Sequence, residues 1–186
     1  TGGLEKADSG EIEYEASHRT AFVFQEPRLM PWLTVWDNVT FGIRKKEKNR
    51  ENISGIISTV GLEGFEKAYP SQLSGGMQQR TAIARALAYR PSFIMMDEPF
   101  AALDYFTREQ MQKELLRVQQ KQRCSILFVT HSIDEALLLG HKIVVIENGL
   151  VKTQVQVPEL AEERNLLDDM FISLKRRIIE SLNTAD

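Results

Sequence analysis

Cysteine is almost absent from this sequence: Cys124 stands alone among 186 residues. No internal disulfide and no cysteine-based metal framework can be drawn, and a lone thiol in an apolar run points to a reducing compartment such as the cytoplasm. Long apolar runs are missing as well. No stretch approaches the roughly 20 residues that a membrane-spanning helix needs, and the opening residues lack the basic start and apolar core of a signal peptide. Any membrane role must then come through a partner. Neither sign of charge dominates, because 23 basic against 26 acidic residues leave a formal net charge of -3. That balance gives no broad basic surface for nucleic acid. With 42% hydrophobic and 26% charged residues, 11 Gly and 6 Pro, disordered and collagen-like chains are excluded and the mixture suits one soluble globular domain. Internal repeats and low-complexity tracts are lacking, and so is an initiator Met. The chain opens on Thr1-Gly2-Gly3, which reads as the tail of a helix and suggests a fragment. Removal of Met before a small Thr is the alternative.

The apolar pattern that is present alternates between short β-rich runs and helical periodicity. Thr20 to Phe24 reads as a buried strand running into a loop at Gln25-Glu26-Pro27, since Pro27 cannot donate to a sheet ladder. From Leu29 to about Tyr69, Val35, Val39 and Phe41, then Ile53, Ile56, Ile57 and Val60, suggest a small helical insert broken by a basic stretch from Arg44 to Arg50. Ser74 is placed to cap a helix running to Tyr89, stopped by Pro91. Phe93 to Met96 reads as a strand and Ser125 to Val129 as another buried strand. Asp104 can cap a long helix to about Gln122, with Met111, Leu115 and Val118 at helical spacing. Ser132 with Glu135 three residues on fits a capping box for a helix through Leu139. Asn148-Gly149 is a strong two-residue turn between Lys142–Ile146 and Leu150–Val155. An amphipathic helix is expected from about Glu159 to Leu182. The alternation implies an α/β fold with a mainly parallel sheet and helices on both faces.

Two strings carry chemistry. Phe93 to Pro99 sets Asp97 and Glu98 at the carboxyl end of an apolar strand, where open α/β sheets bind ligands. If the segment is extended, the two side chains point apart, so one carboxylate could reach a Mg²⁺ shell while the other faces an attacking water. Alone, an Asp-Glu-Pro is as readily a solvated acidic turn. Leu73-Ser74-Gly75-Gly76-Met77-Gln78-Gln79-Arg80 joins a capping hydroxyl to two residues lacking Cβ, so N–H groups at a helix start can approach an anion closely. Alone, Ser-Gly-Gly is simply a capped helix with a flexible entry.

Taken in order and spacing, these strings resemble the nucleotide-binding subunits of ATP-binding cassette (ABC) transporters. Leu73 to Arg80 is similar to the signature motif, Met96-Asp97-Glu98 to the end of the Walker B strand, and Ala102-Leu103-Asp104 to the D-loop. Gln25 after Val23-Phe24 is similar to the Q-loop, and His131 after Val129-Thr130 to the switch histidine. The resemblance runs to about Val155. It implies a P-loop NTPase-like fold with a small helical subdomain and the N-terminal part missing, and ATP and Mg²⁺ as ligands. It also implies that Asp97 holds Mg²⁺ through water, that Glu98 is the general base for the water attacking the γ-phosphate, and that His131 contacts that phosphate. Gln25 would join Mg²⁺ and the attacking water to the insert. Ser74, Gly75 and Gly76 would face the γ-phosphate of ATP held by a second nucleotide-binding subunit, and Asp104 would help fit the two subunits together.

The same resemblance divides the chain into a core remnant (1–28), a helical subdomain (29–72), a core segment with signature, Walker B, D-loop and H-loop (73–157) and a helical tail (158–186). The phosphate cradle G-x-x-x-x-G-K-[ST] does not occur in these residues. Thr1 to Leu4 with Asp8 to Ile12 resembles the segment that follows the helix which this cradle begins. The 186-residue polypeptide by itself is therefore expected to bind ATP weakly and not to turn it over; micromolar affinity by calorimetry would overturn this. ATPase activity is expected of the longer protein. The run from Phe24 to Val39 resembles importers of nitrate, aliphatic sulfonates and taurine, which implies integral membrane permease subunits, a solute-binding protein and a place on the cytoplasmic face of the membrane. Leu29, Met30, Trp32 and Leu33 either receive the permease or pack within the insert. Two other readings stay open, a truncated noncatalytic interaction module and a soluble ABC ATPase of translation or repair. The C-terminal helix is either a packing element or a regulatory or dimer contact.

Overall fold

A computed structural model describes residues 7–11, 19–44, 48–122, 124–158 and 164–183. The chain divides into two compact units, Thr1–Val129 and Thr130–Asp186. The opening Thr1 to Leu4, residue Ile12, part of the basic stretch and the expected helix start at Glu159 lie outside the described residues.

The first unit is built on three parallel strands, β1 (Thr20–Val23), β2 (Phe93–Asp97) and β3 (Ser125–Val129), in the order β1-β2-β3. The register pairs Ala21 with Ile94 and Val23 with Met96, and these four apolar residues are buried on one face. The opposite face is less covered than the burial expected of β1 and β3. Leu127 and Val129 are 46% and 51% exposed, and β3 alternates between exposed and half-buried positions. The correction is physical. An apolar run of strand length signals β structure, but which of its two faces finds a partner is a tertiary matter.

Between β1 and β2 lies the helical segment. Helix α1 (Val35–Val39) is capped by Thr34, whose Oγ1 accepts from the Asp37 N–H, and α2 (Arg50–Thr59) by Asn49. Asn38 is fully buried in α1 and organises the loop before it. Its Nδ2 donates to the carbonyls of Met30 at 3.2 Å, Leu33 at 3.0 Å and Thr34 at 3.1 Å, while Oδ1 accepts from the Met30 N–H at 2.9 Å. On that loop Trp32 is 71% exposed, whereas Leu29, Met30 and Leu33 are half-buried.

Helix α3 (Gly75–Ala88) is buried along most of its length through Ala82, Ile83, Ala84, Ala86 and Leu87, and packs against α1, α2 and β1. Small alanines let neighbouring elements approach, although the helix also carries Gln78, Gln79, Arg80 and Arg85. Fully burying Ile83 and Ile94 contributes about 2 kcal/mol each. Helix α4 (Tyr105–Gln122) starts where expected, with the Thr107 N–H donating to Asp104 Oδ1 at 3.1 Å, and buries Met111 and Leu115. Cys124 is buried before β3, and that burial pushes its thiol pKa up.

The second unit holds α5 (Ile133–Leu139), a hairpin of β4 (Lys142–Glu147) and β5 (Leu150–Gln156), and α6 (Asp169–Asn183). Asn148 and Gly149 take φ values of 49° and 77°, the left-handed pair that a tight hairpin turn requires. The hairpin is a separate two-stranded antiparallel sheet. Its buried Ile143, Val145 and Val155 pack with Leu137 of α5 and with Phe171 and Ile178 of α6. Helix α6 begins later than expected, at Asp169, with Asp168 and Asn165 joined just before it. The capping box is modified: Ser132 Oγ accepts from the Glu135 N–H at 3.3 Å, but the Ser132 N–H donates to Thr130 Oγ1, which itself donates to Glu135 Oε2 at 2.7 Å. Among the described residues no helix is long and apolar enough to cross a membrane.

Candidate functional site

Parallel pairing makes β1, β2 and β3 end at the same edge of the sheet. At that edge Asp97 closes β2, opposite Val129 of β3, and Gln25 follows β1 by two residues. Asp97 and Gln25 are both exposed, so their oxygens are open to ligands. Among the described residues no group of three or more His, Cys, Asp or Glu gathers into a metal cage. Two exposed oxygen donors at a strand edge fit Mg²⁺ nonetheless, because that ion keeps several waters and binds through one or two protein groups plus phosphates.

Glu98 departs from the extended geometry assumed for the Asp97-Glu98 pair. Its φ is 43°, a left-handed conformation that side-chain-bearing residues seldom take. The backbone holds it there: its N–H donates to the Val129 carbonyl at 2.9 Å and its C=O accepts from the Ala101 N–H at 3.2 Å. Buried Phe100 packs on Phe128 with ring centroids 5.6 Å apart and fixes the turn from below. Asp97 is thus the last residue of the extended strand, and Glu98 has already left it. A strained residue of this kind persists only where the surrounding structure over-determines it.

Ser74 caps α3, its Oγ accepting from the Met77 N–H at 3.2 Å. The hydroxyl keeps its own proton to donate, and the first-turn N–H groups of Gly75 and Gly76 have no acceptor within the helix. Gly76 also lies against the turn carrying Asp104. A Cβ there would come within 3.3 Å of Leu103 Cδ2 and 3.5 Å of the Ala102 carbonyl oxygen. The structure thus joins the signature string to the Ala102-Leu103-Asp104 string, which spacing alone kept apart. Asp104 is exposed, and hydrogen bonds from Thr107 hold its carboxyl below the usual carboxylate range. His131 follows β3 by two residues along the chain and belongs to the second unit, just before the Ser132 cap of α5.

Three residues of α3 and one of α1 act as braces: two of them hold the loop after β1, one holds the end of α2, and one holds the loop before α1. Gln79 reaches Phe24, Arg85 reaches Pro27 and Arg28, and Arg80 Nη1 donates to the carbonyls of Val60 at 3.1 Å and Gly61 at 3.0 Å. Asn38 is the fourth, through the loop it organises. The signal is faint, since each partner is a backbone group that leaves no trace in side-chain pattern.

A family model described as ABC transporter matches residues 2–101. That span includes Gln25, Ser74 to Gly76, Asp97 and Glu98, and stops short of Asp104 and His131. An uncharacterized ABC transporter ATP-binding protein of Methanocaldococcus jannaschii is 46% identical over 188 residues, covering 98% of this chain and 70% of that protein. The aliphatic sulfonates import ATP-binding protein SsuB of Bacillus subtilis (strain 168) is 38% identical over 192 residues, covering 99% and 75%. A second SsuB, from Pseudomonas syringae pv. tomato, is 41% identical over 185 residues, covering 98% and 78%. Among solved structures, a dimeric ATP-binding cassette in a post-hydrolysis state, bound to ADP and Pi, superposes with a TM-score of 0.68 at 34% identity. That match covers 77% of this chain and 65% of the cassette, so the chain spans slightly less than two thirds of it. On the family model and on identities of this size over nearly the whole sequence, the chain belongs to the ABC transporter family.

Proposed function

We propose that this chain forms part of the ATP-hydrolysing subunit of an importer for an aliphatic sulfonate or a related small anion. The observation that carries the reading is the shared strand edge, where Gln25, Asp97 and the left-handed Glu98 follow neighbouring parallel strands. The SsuB relatives, named for aliphatic sulfonate import, support the substrate class.

In this reading Glu98 accepts the proton of the water that attacks the γ-phosphate, as a positioned carboxylate can. Asp97, through water, and Gln25 would hold Mg²⁺, which when bound would neutralise charge on the phosphate oxygens. His131 donates to the γ-phosphate. Ser74, Gly75 and Gly76 offer a hydroxyl and two N–H groups to nucleotide on a second subunit, where the helix N-terminus favours negative charge. Asp104, packed beside Gly76 through Leu103, aligns the two subunits. Trp32, exposed on a loop that Asn38 braces, meets the permease at the cytoplasmic face of the membrane, and a solute-binding protein delivers the anion.

The reading is tested by uptake. Membrane vesicles holding the whole protein with its permease and binding protein should accumulate a labelled alkanesulfonate only when ATP is supplied inside. No ATP-dependent accumulation of alkanesulfonate, taurine or nitrate would remove the importer assignment, and purification without any integral membrane partner would favour a soluble ATPase.

A further inference from the structure

Gln79 sits one helical turn beyond Gly75 and is completely buried, on a helix whose other buried residues are mostly alanines with Thr81, Ile83 and Leu87. Its Nε2 donates to the carbonyl of Phe24 at 3.1 Å, while its buried Oε1 accepts no hydrogen bond among the described residues. A methionine has nearly the same length but would leave the Phe24 carbonyl without this donor. The amide therefore leaves its own Oε1 unpaired in order to make one contact, to the Phe24 carbonyl. The carbonyl it holds belongs to the residue just before Gln25.

The far side of the same loop is held from the same helix. Arg85 Nη1 donates to the Arg28 carbonyl at 2.9 Å and Nη2 to the Pro27 carbonyl at 3.0 Å. Between these anchors the loop is tightly folded: Arg28 has a φ of 44°, and its guanidinium lies 4.1 Å from the centroid of the Phe24 ring. Phe24 to Arg28 is thus bracketed at both ends by side chains of α3, and Gln25 lies inside the bracket.

Resting on the function proposed above, we infer that Gln79 is a positioning residue for Gln25, fixing the loop to α3 so that any shift of the Ser74-Gly75-Gly76 end carries Gln25 with it. Gln79 acts through the Phe24 backbone and does not itself touch nucleotide. Its removal leaves the nucleotide-contacting groups intact but loosens the aim of Gln25 by a fraction of an ångström or more, a displacement that catalysis feels strongly.

The test is a double-mutant cycle in the whole protein, reading steady-state ATP turnover, nucleotide affinity and the Mg²⁺ concentration for half-maximal rate. Gln79→Met should lower kcat about tenfold, leave the nucleotide Kd within about threefold and raise the half-saturating Mg²⁺ at least about threefold. In a Gln25→Ala background the same change should alter kcat by less than about twofold, because a residue acting only through Gln25 has nothing left to act on. Wild-type kcat in Gln79→Met, or the full loss persisting in the Gln25→Ala background, overturns the inference. If Gln79→Met does not fold, Arg85→Lys enters the same cycle, since lysine cannot hold both carbonyls at once; a loss that vanishes without Gln25 supports the inference, and one that persists overturns it. Failure of the underlying reading is separately visible as a wild-type protein without ATPase activity, or as Glu98→Gln hydrolysing normally.

Discussion

Glu98→Gln is expected to lower ATP turnover about 10²- to 10⁴-fold, the contribution of a well-placed general base, with nucleotide affinity and dimer closure preserved. Glutamine has the same shape, and the backbone bonds that hold position 98, to Val129 and Ala101, involve no side-chain atom. The substitution therefore changes basicity and little else. Single-turnover and steady-state hydrolysis in the whole protein, together with a nucleotide-binding isotherm, separate the two effects; turnover at the wild-type rate would remove Glu98 as the base. The backbone supplies an independent check. With φ at 43°, a glycine at this position relieves about 1 kcal/mol of left-handed strain, so Glu98→Gly should raise the thermal midpoint while it abolishes turnover. That opposition is expected where strain is kept for chemistry.

Asn38→Ala should destabilise the first unit by about 3 kcal/mol, since it removes four hydrogen bonds of a fully buried amide and buried groups left unpaired cost about 1–3 kcal/mol each. For a chain of this size that corresponds to a fall of roughly 10 °C in thermal midpoint. Asn38→Asp should do no better. It keeps the acceptor for the Met30 N–H but turns three donations into repulsion between oxygens. The two tryptophans, Trp32 and Trp36, flank the site, so fluorescence reports the change alongside the melt. A midpoint within about 1 °C of wild type would show that the loop rebuilds its own hydrogen bonds. If the proposed importer role holds, the same change should uncouple uptake from hydrolysis, because the loop that presents Trp32 loses its brace.

Much of the local architecture is legible in the amino-acid sequence. Ser74, Asp104 and Ser132 each cap the helix expected of them, through the Met77, Thr107 and Glu135 N–H groups, because a cap is a contact across three residues and sequence spacing specifies it. Asn148-Gly149 is readable for the same reason. The burial of β3 is not, since apolarity shows that a strand wants cover and is silent on whether a partner arrives. Nor is the late start of α6, because its periodicity continues upstream into residues whose backbone is not committed by pattern alone.

The amino-acid order on its own settled the identity and succession of the chemical groups: an amide, a capped pair of glycines, two adjacent carboxylates and a histidine, each tied to a local element by short-range rules. Tertiary structure decided the rest. Parallel register brought Gln25 and Asp97 to one sheet edge from positions far apart in the chain, and hydrogen bonding between Glu98 and Val129 forced a left-handed turn that no propensity would select. The bracket from Gln79 and Arg85 onto the loop of Gln25, and the packing of Gly76 on Leu103, likewise exist only once α3 is docked. Local rules act through a few neighbouring residues, whereas these contacts join segments whose meeting is set by close packing of a shared core.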